Sequence, residues 1–280
     1  MSADPNDIKA LVFDLDGTIL APGAILTDRT IKAVKGCMQR GIKIIISTGR
    51  AMEAVEQFRI PLGAEGPMIY FNGAMVADMP KGSVLSSTLL DAKAVDYCID
   101  LSREMGVYCQ VYFPVGDCES RTILISEWDS DERNMYNERT GLLSEIGNLK
   151  EALRRSKPAG CIKAMFLAEP EVQAVLRPKL EEQFGSSVYI TQTTRTFLEI
   201  MDKKVSKGQG LSFVMERLSI KKEEVIAFGD DENDVPMFSV AGFSVAPSNA
   251  KDSVKAEANL VIGSNADESV AAFLEDFFGL

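Results

Sequence analysis

Asp14 and Asp16 close a run of apolar residues, Ile8 to Phe13, and are followed directly by Gly17-Thr18. A short apolar, β-rich run of this kind reads as a strand buried on both faces. Residues two apart on a strand point the same way, so two carboxylates leave the sheet together. Burying two like charges is costly unless a cation bridges them or one is protonated. The first outcome is a Mg²⁺ site and the second a general acid. Asp-x-Asp alone is common in surface turns, and its place at a strand end before Gly-Thr gives it weight.

Three further segments have the same character. Thr48, in Ser47-Thr48-Gly49-Arg50, ends the apolar run Ile42–Ile46. Its hydroxyl and the free N–H groups of a starting helix would make an anion pocket, with simple helix capping as the competing reading. Lys207, in Val205-Ser206-Lys207-Gly208, opens a helical stretch. It supplies a compact charge suited to phosphate oxygens, although a solvated surface lysine would look the same. The sequence Gly229-Asp230-Asp231-Glu232-Asn233-Asp234 follows the apolar run Val225–Phe228. An acidic helix N-terminus is favoured by the macrodipole, but that does not explain why a buried strand feeds straight into the cluster.

Composition narrows the chemistry. The chain has 280 residues and no histidine, which excludes Ser-His-Asp and Cys-His nucleophile pairs and histidine-bound zinc. Carboxylate oxygens suit Mg²⁺, so carboxylates, lysine, hydroxyls and an oxygen-bound metal are left to carry any catalysis. Lys and Arg number 30 against 41 Asp and Glu, a formal charge of −11 that argues against a nucleic-acid partner. Cys37, Cys98, Cys109, Cys118 and Cys161 are odd in number and form no Cys-x-x-Cys pair, so free thiols in a reducing compartment are expected. Met1 to Asp7 lacks a basic flank and an apolar stretch, and no apolar run approaches the roughly 20 residues of a membrane span. Cytoplasmic location and no membrane partner follow as expectations.

The elements that must position these groups alternate apolar strand, polar loop and amphipathic helix, the mark of a parallel α/β sheet. Thr27 is placed to cap a helix carrying Ile31, Val34 and Met38, and Gly41 to stop it; Pro67–Phe71 reads as a third buried strand ending in Asn72-Gly73. Ligand groups in such sheets gather at the carboxyl ends of the strands. After a hairpin expected near Pro80-Lys81-Gly82 the strands alternate more, as in Val107 to Tyr112, and an antiparallel α+β module open on one sheet face is expected. The first texture then returns, with strands read at Phe197–Met201, Val225–Phe228, Phe243–Ala246 and Leu260–Ile262 and helices at Ser206–Leu218 and Asp267–Phe278. The fold expected is α/β, a Rossmann-like parallel-sheet core of residues 1–83 and 191–280 with an inserted α+β cap of residues 84–190.

Asp14-x-Asp16-Gly-Thr, Thr48 after an apolar strand, Lys207 and Gly229-Asp230-x-x-Asn233-Asp234 together resemble the four ordered motifs of the haloacid dehalogenase-like hydrolase superfamily. Ser-Thr-Gly-Arg, Asn72-Gly73-Ala74 and Val-Ser-Lys-Gly resemble its Cof-type branch of small-molecule phosphatases. The long separation of Thr48 from Lys207 places an inserted cap between the second and third motifs, as in that branch. The chain departs from the branch at Ala246-Pro247-Ser248-Asn249-Ala250 and at Phe71, which bears on substrate preference.

The resemblance implies hydrolysis of a small phosphorylated metabolite, with a sugar phosphate expected, through an aspartyl-phosphate. Asp14 would be the nucleophile and Asp16 the general acid and base. Mg²⁺ would be held by the Asp14 carboxylate, the Asp16 backbone carbonyl and the Asp230 carboxylate, with Asp234 in support. Thr48, Gly49, Lys207, Asn233 and the Leu15 backbone amide would hold the phosphoryl oxygens. Arg121, Arg139, Arg195 and Trp128 in the cap are candidate substrate contacts set against ordinary surface or packing roles. Phosphomutase or sucrose-phosphatase-like specificity is the nearest rival reading. A metal-dependent glycosyltransferase leaves Lys207 and the Asp230 cluster unexplained, and a non-catalytic phospho-acceptor regulator of receiver type would be about half this size. Monomer and homodimer are both compatible with the sequence.

Overall fold

The computed structural model describes residues 4–115, 121–156 and 160–280, apart from the Thr193 side chain. Met1 to Ala3 and the fifth thiol, Cys118, lie outside the described residues. The chain opens with β1 (Ala10–Phe13), α1 (Asp28–Gln39), β2 (Lys43–Ile46), α2 (Met52–Leu62), β3 (Gly66–Tyr70), β4 (Met75–Met79) and β5 (Ser83–Ser87). There follow α3 (Ala92–Met105), β6 (Cys109–Pro114), β7 (Thr122–Ser126), α4 (Asp131–Thr140), β8 (Glu145–Ile146), α5 (Leu149–Arg155) and β9 (Lys163–Leu167). Next come α6 (Pro170–Phe184), β10 (Val188–Thr194) and β11 (Phe197–Asp202). The remainder is α7 (Lys207–Leu218), β12 (Val225–Phe228), α8 (Val235–Val240), β13 (Phe243–Pro247), α9 (Asp252–Glu257), β14 (Leu260–Ile262) and α10 (Ser269–Phe278). The described chain divides into two compact units, Met1–Arg50 with Val55–Lys81 and Ser206–Leu280, and Ala51–Ala54 with Gly82–Val205.

The first unit is built on a parallel sheet in the order β14-β13-β12-β1-β2. Its central strands, Ala-Leu-Val-Phe and Val-Ile-Ala-Phe, are buried at every residue, as strands covered on both faces must be. They pair in register from Ala10 with Val225 to Phe13 with Phe228, whose rings stack at 4.8 Å. A parallel bridge between Ser47 and Ile69 lays β3 beside β2, and β4 returns antiparallel on β3. Successive strands are added outward from β1 toward β2 on one side and from β12 toward β14 on the other. The switch point, where α/β sheets open a crevice at their carboxyl ends, therefore lies between β1 and β12. Thr27 caps α1 as expected, its hydroxyl accepting from Thr30 N–H, and the chain turns out of the helix at Gly41 with φ +82°.

The second unit is a mainly antiparallel sheet ordered β10-β11-β9-β6-β7-β8. Leucines and aromatics of α3, α5 and α6 pack on one face, against Val111, Phe113, Ala164, Phe166, Leu198 and Ile200. Alternation sends Gln110, Tyr112, Lys163 and Glu199 to the other face, where Lys163 donates to Glu199 at 2.7 Å with both side chains buried. This α+β unit interrupts the parallel one, as the sequence predicted. One strand differs. Phe197–Met201, expected in the parallel core, is β11 and pairs antiparallel with β9 and β10. Residues Phe197 to Met201 are all buried, so its sequence carries the same apolar texture as a core strand. The second unit accordingly runs to Val205, beyond the expected limit at residue 190. Among the described residues no helix is long and apolar enough to cross a membrane.

Candidate active site

Asp14, Asp16, Thr48, Lys207, Asp230, Asn233 and Asp234 all lie in the first unit, at or just beyond the carboxyl ends of β1, β2 and β12 or at the start of α7. Asp14 follows β1, and its N–H still donates to Phe228 C=O at 3.0 Å, so the nucleophile candidate is held by the sheet itself. Ser206 caps α7 through its hydroxyl, which fixes the first helical residue, Lys207. The Lys207 ammonium is buried and donates to Asp14 Oδ1 at 2.5 Å and to Asp234 Oδ1 at 2.6 Å. Those two carboxylates hold it in the charged form and push its pKa up against the cost of burial.

Asp234 is fully buried, and its second oxygen accepts the Asp230 and Asp231 backbone N–H groups at 2.9 and 3.0 Å. This carboxylate therefore shapes the loop that presents Asp230. A Cβ at Gly229 would collide with the Asp234 side chain, so only glycine fits there. Asp230 accepts from the Thr18 hydroxyl at 2.9 Å, and a side chain at Gly17 (φ +80°) would strike the Asp230 carboxylate. Thr18 and Asp230, from opposite ends of the chain, thus meet across the switch point.

Oxygens of Asp14, Asp230 and Asp234 lie within 4.8 Å of one another. Three carboxylates against one ammonium leave a formal excess of two negative charges in a buried place. Desolvation, reinforced by Asp234 and Asp230, pushes the Asp14 carboxyl well above the usual range. Desolvation and Asp234 likewise push Asp230 up to about 7. An all-oxygen donor set with surplus negative charge fits a hard divalent cation such as Mg²⁺.

The Asp16 side chain does not share the buried place of Asp14 that strand alternation predicts. Its side chain is 54% exposed, and its two oxygens accept from Arg50 Nε and Nη2 at 2.7 and 2.5 Å. The guanidinium also lies over the Phe58 ring, 5.1 Å from its centroid. Each aspartate of the pair thus has its own cation, Lys207 for Asp14 and Arg50 for Asp16. Leu15 is buried between them.

Thr48 is buried, its N–H donating to Ile69 C=O at 3.0 Å and its hydroxyl accepting from Arg50 N–H at 3.2 Å. The hydroxyl thus braces the Thr48-Gly49-Arg50 turn and does not cap α2, which begins at Met52. Asn233 donates to Asn72 Oδ1 at 3.0 Å, while its own Oδ1 is buried with no hydrogen-bond partner. Among the cap candidates, Arg139 lies over the Phe197 ring at 5.3 Å, Arg195 pairs with Glu169 at 3.0 Å, Trp128 is half-buried and Arg121 is exposed. These contacts are all internal to the second unit.

Three residues without an expected role join the site. Thr18 binds Asp230, as described. Asn249 Nδ2 donates to Gly17 C=O at 2.8 Å, so the departure at Pro247-Ser248 still delivers an asparagine to the Asp16-Gly17 loop. Asn72 is buried against Gly49 and Asn233. The sequence signal for Thr18 and Asn72 was their place directly beyond strand ends; for Asn249 it was only its place after the Pro247-Ser248 departure.

The family described as haloacid dehalogenase-like hydrolase matches residues 11–274. Pyridoxal phosphate phosphatase YbhA of Escherichia coli is 28% identical over 95% of this chain and 97% of its own length. The 5-amino-6-(5-phospho-D-ribitylamino)uracil phosphatase YitU of Bacillus subtilis is 26% identical over 96% of this chain and 97% of its own. Among solved structures, TM0651 of Thermotoga maritima superposes with a TM-score of 0.84 at 29% identity, over 96% of this chain and 97% of that one.

Proposed function

The chain belongs to the haloacid dehalogenase-like hydrolase family and is a phosphatase; from that premise we propose that it is Mg²⁺-dependent and hydrolyses a sugar phosphate or similar small phosphate ester in the cytoplasm. The observation that carries the reading is the buried set of Asp14, Asp230, Asp234 and Lys207 at the switch point. Mg²⁺ would be held by the Asp14 and Asp230 carboxylates and the Asp16 backbone carbonyl, and when bound it neutralises charge on the phosphoryl oxygens. Asp234 supports it by fixing the Asp230 loop.

Asp14 attacks phosphorus, and the bond to the ester oxygen breaks as the aspartyl-phosphate forms. Asp16 gives a proton to the departing alkoxide and later takes one from the water that cleaves the acyl phosphate. Arg50 occupies two of the roughly four acceptor sites of the Asp16 carboxylate, which leaves lone pairs for both steps. Lys207, Thr48, the Leu15 and Gly49 amides and Asn233 hold the remaining phosphoryl oxygens. The inserted unit is assigned the choice of leaving group, with the parallel unit as the hydrolase core. Net movement of the phosphoryl group from one hydroxyl of the sugar to another would make the enzyme a mutase, and the same assay separates the two because a mutase releases no phosphate.

Phosphate release is measured from p-nitrophenyl phosphate and a panel holding sugar phosphates, pyridoxal phosphate and a ribityl phosphate, with Mg²⁺ and with EDTA. Turnover should require Mg²⁺, and Asp14→Asn should lower kcat by about 1,000-fold or more. A variant with near-normal turnover would remove Asp14 as the nucleophile.

A further inference from the structure

The turn after β3 combines three features that the proposed chemistry leaves unused. Phe71, Asn72 and Gly73 take φ values of +50°, +57° and +98° in succession, two of them at buried residues with side chains. Left-handed backbone is strained for residues other than glycine, asparagine included to a lesser degree, and such strain persists only where the surroundings hold it. Here they do so from several sides. Asn72 N–H donates to Thr48 C=O at 2.9 Å, and Phe71 N–H to Arg50 C=O at 3.1 Å. A Cβ on Gly73 would run into the Ser206 carbonyl, immediately before Lys207.

The Asn72 carboxamide points into the same junction. Its Oδ1 accepts from Asn233 Nδ2 at 3.0 Å and would sit 2.9 Å from a Cβ on Gly49. One side chain therefore touches the loop after β2 and the loop after β12, while its own turn abuts the start of α7. These are the three segments that carry Gly49, Asn233 and Lys207.

We propose that Asn72 is a positioning residue for the phosphate cradle, a strut that sets the distance between the Thr48-Gly49 turn and Asn233. The inference rests on the phosphatase reading and adds to it a residue that acts through others, without touching the reacting atoms. The left-handed turn aims the carboxamide inward, and asparagine supplies both tolerance of that backbone and an acceptor for Asn233.

The test uses the full chain with Asn72→Gly and Asn72→Ala, each measured for Tm, for kcat and KM on p-nitrophenyl phosphate, and for inhibition by orthovanadate with Mg²⁺. Both variants lose the strut, so both should weaken vanadate inhibition and lower kcat/KM at least tenfold. They should differ in stability, because glycine accepts the positive φ and alanine does not. Asn72→Gly is therefore expected to keep a higher Tm than Asn72→Ala. In an Asn233→Ala background, Asn72→Gly should cost less than threefold, since the group it positions is gone. Kinetics within twofold of wild type for either variant, or an equal loss in both backgrounds, would overturn the proposal. If the wild-type chain neither turns over nor binds vanadate, the phosphatase reading fails first and this one with it.

Discussion

Asp14 and Asp16 are chemically identical and two residues apart, yet their surroundings separate them. Asp14 is buried against a single ammonium, whereas Asp16 is half in solvent and held by a planar fork. A fork grips both oxygens and fixes the carboxylate plane, while an ammonium is a point charge that leaves the plane free to turn. Two carboxylates of one motif thus have different partners and different freedom. Asp230 supplies a measurable consequence. Its carboxyl is raised from 3.8 to about 7 by burial and by Asp234, so between those values the folded metal-free protein holds a proton that the unfolded chain releases. Its contribution to stability therefore declines as pH rises from about 4 to about 7. A cation that takes the place of the proton relieves the penalty, and only where the penalty exists. The rise in Tm on adding Mg²⁺ should be larger at about pH 8 than at about pH 5.5, and metal binding near neutrality should release protons in calorimetry. A Tm increment independent of pH would mean that Asp230 is not a ligand.

At the scale of elements, α7 places its lysine by close packing. A Cβ on Gly208 would meet the Pro236 carbonyl, and one on Gly210 would lie 2.7 Å from Ile69 Cγ2. The helix start is thus wedged between β3 and α8, and Lys207 has little choice of height above the sheet. Gly208→Ala should lower stability by about 1–3 kcal/mol, typical of an overpacked core, and reduce kcat/KM through displaced Lys207. Thermal melts and steady-state kinetics check both halves, and an unchanged Tm would show that α8 gives way. Such close approaches explain what the sequence could and could not reveal. β1, β2 and β12 were legible because an unbroken apolar run ending in a polar turn has few other readings. The Lys207 and Asp230 segments were legible through their order and spacing. β11 was not, since an antiparallel strand buried on both faces has the same composition as a parallel one. The Arg50 fork and the Asn72 strut depend on which loops meet in space, and neither periodicity nor local propensity carries that information.

For the molecule as a whole, the two units have separate cores, and the described thiols divide between them. Cys37 lies in the parallel unit, and Cys98, Cys109 and Cys161 in the antiparallel one, all buried. Burial pushes Cys37 up to about 11 and Cys98 up to about 12, so neither thiol is ionised at neutral pH. In native buffer these four should resist a thiol reagent, and in a urea series Cys37 should report opening of one unit and the other three that of its neighbour. Mass spectrometry after pulse labelling reads the sites individually, and rapid modification of Cys98 without denaturant would contradict the buried assignment. The discontinuous parallel sheet has a further consequence during synthesis. β1 takes β12 as its neighbour, a partner about 215 residues later in the chain. At about 5–20 residues per second, β1 waits on the order of ten to forty seconds with one hydrogen-bonding edge unfilled. The inserted unit has all its strands within that interval. An apolar tetrapeptide strand with an open edge is a template for wrong pairing. The β1 edge therefore stays open to wrong pairing until β12 leaves the ribosome, a window set by connectivity alone.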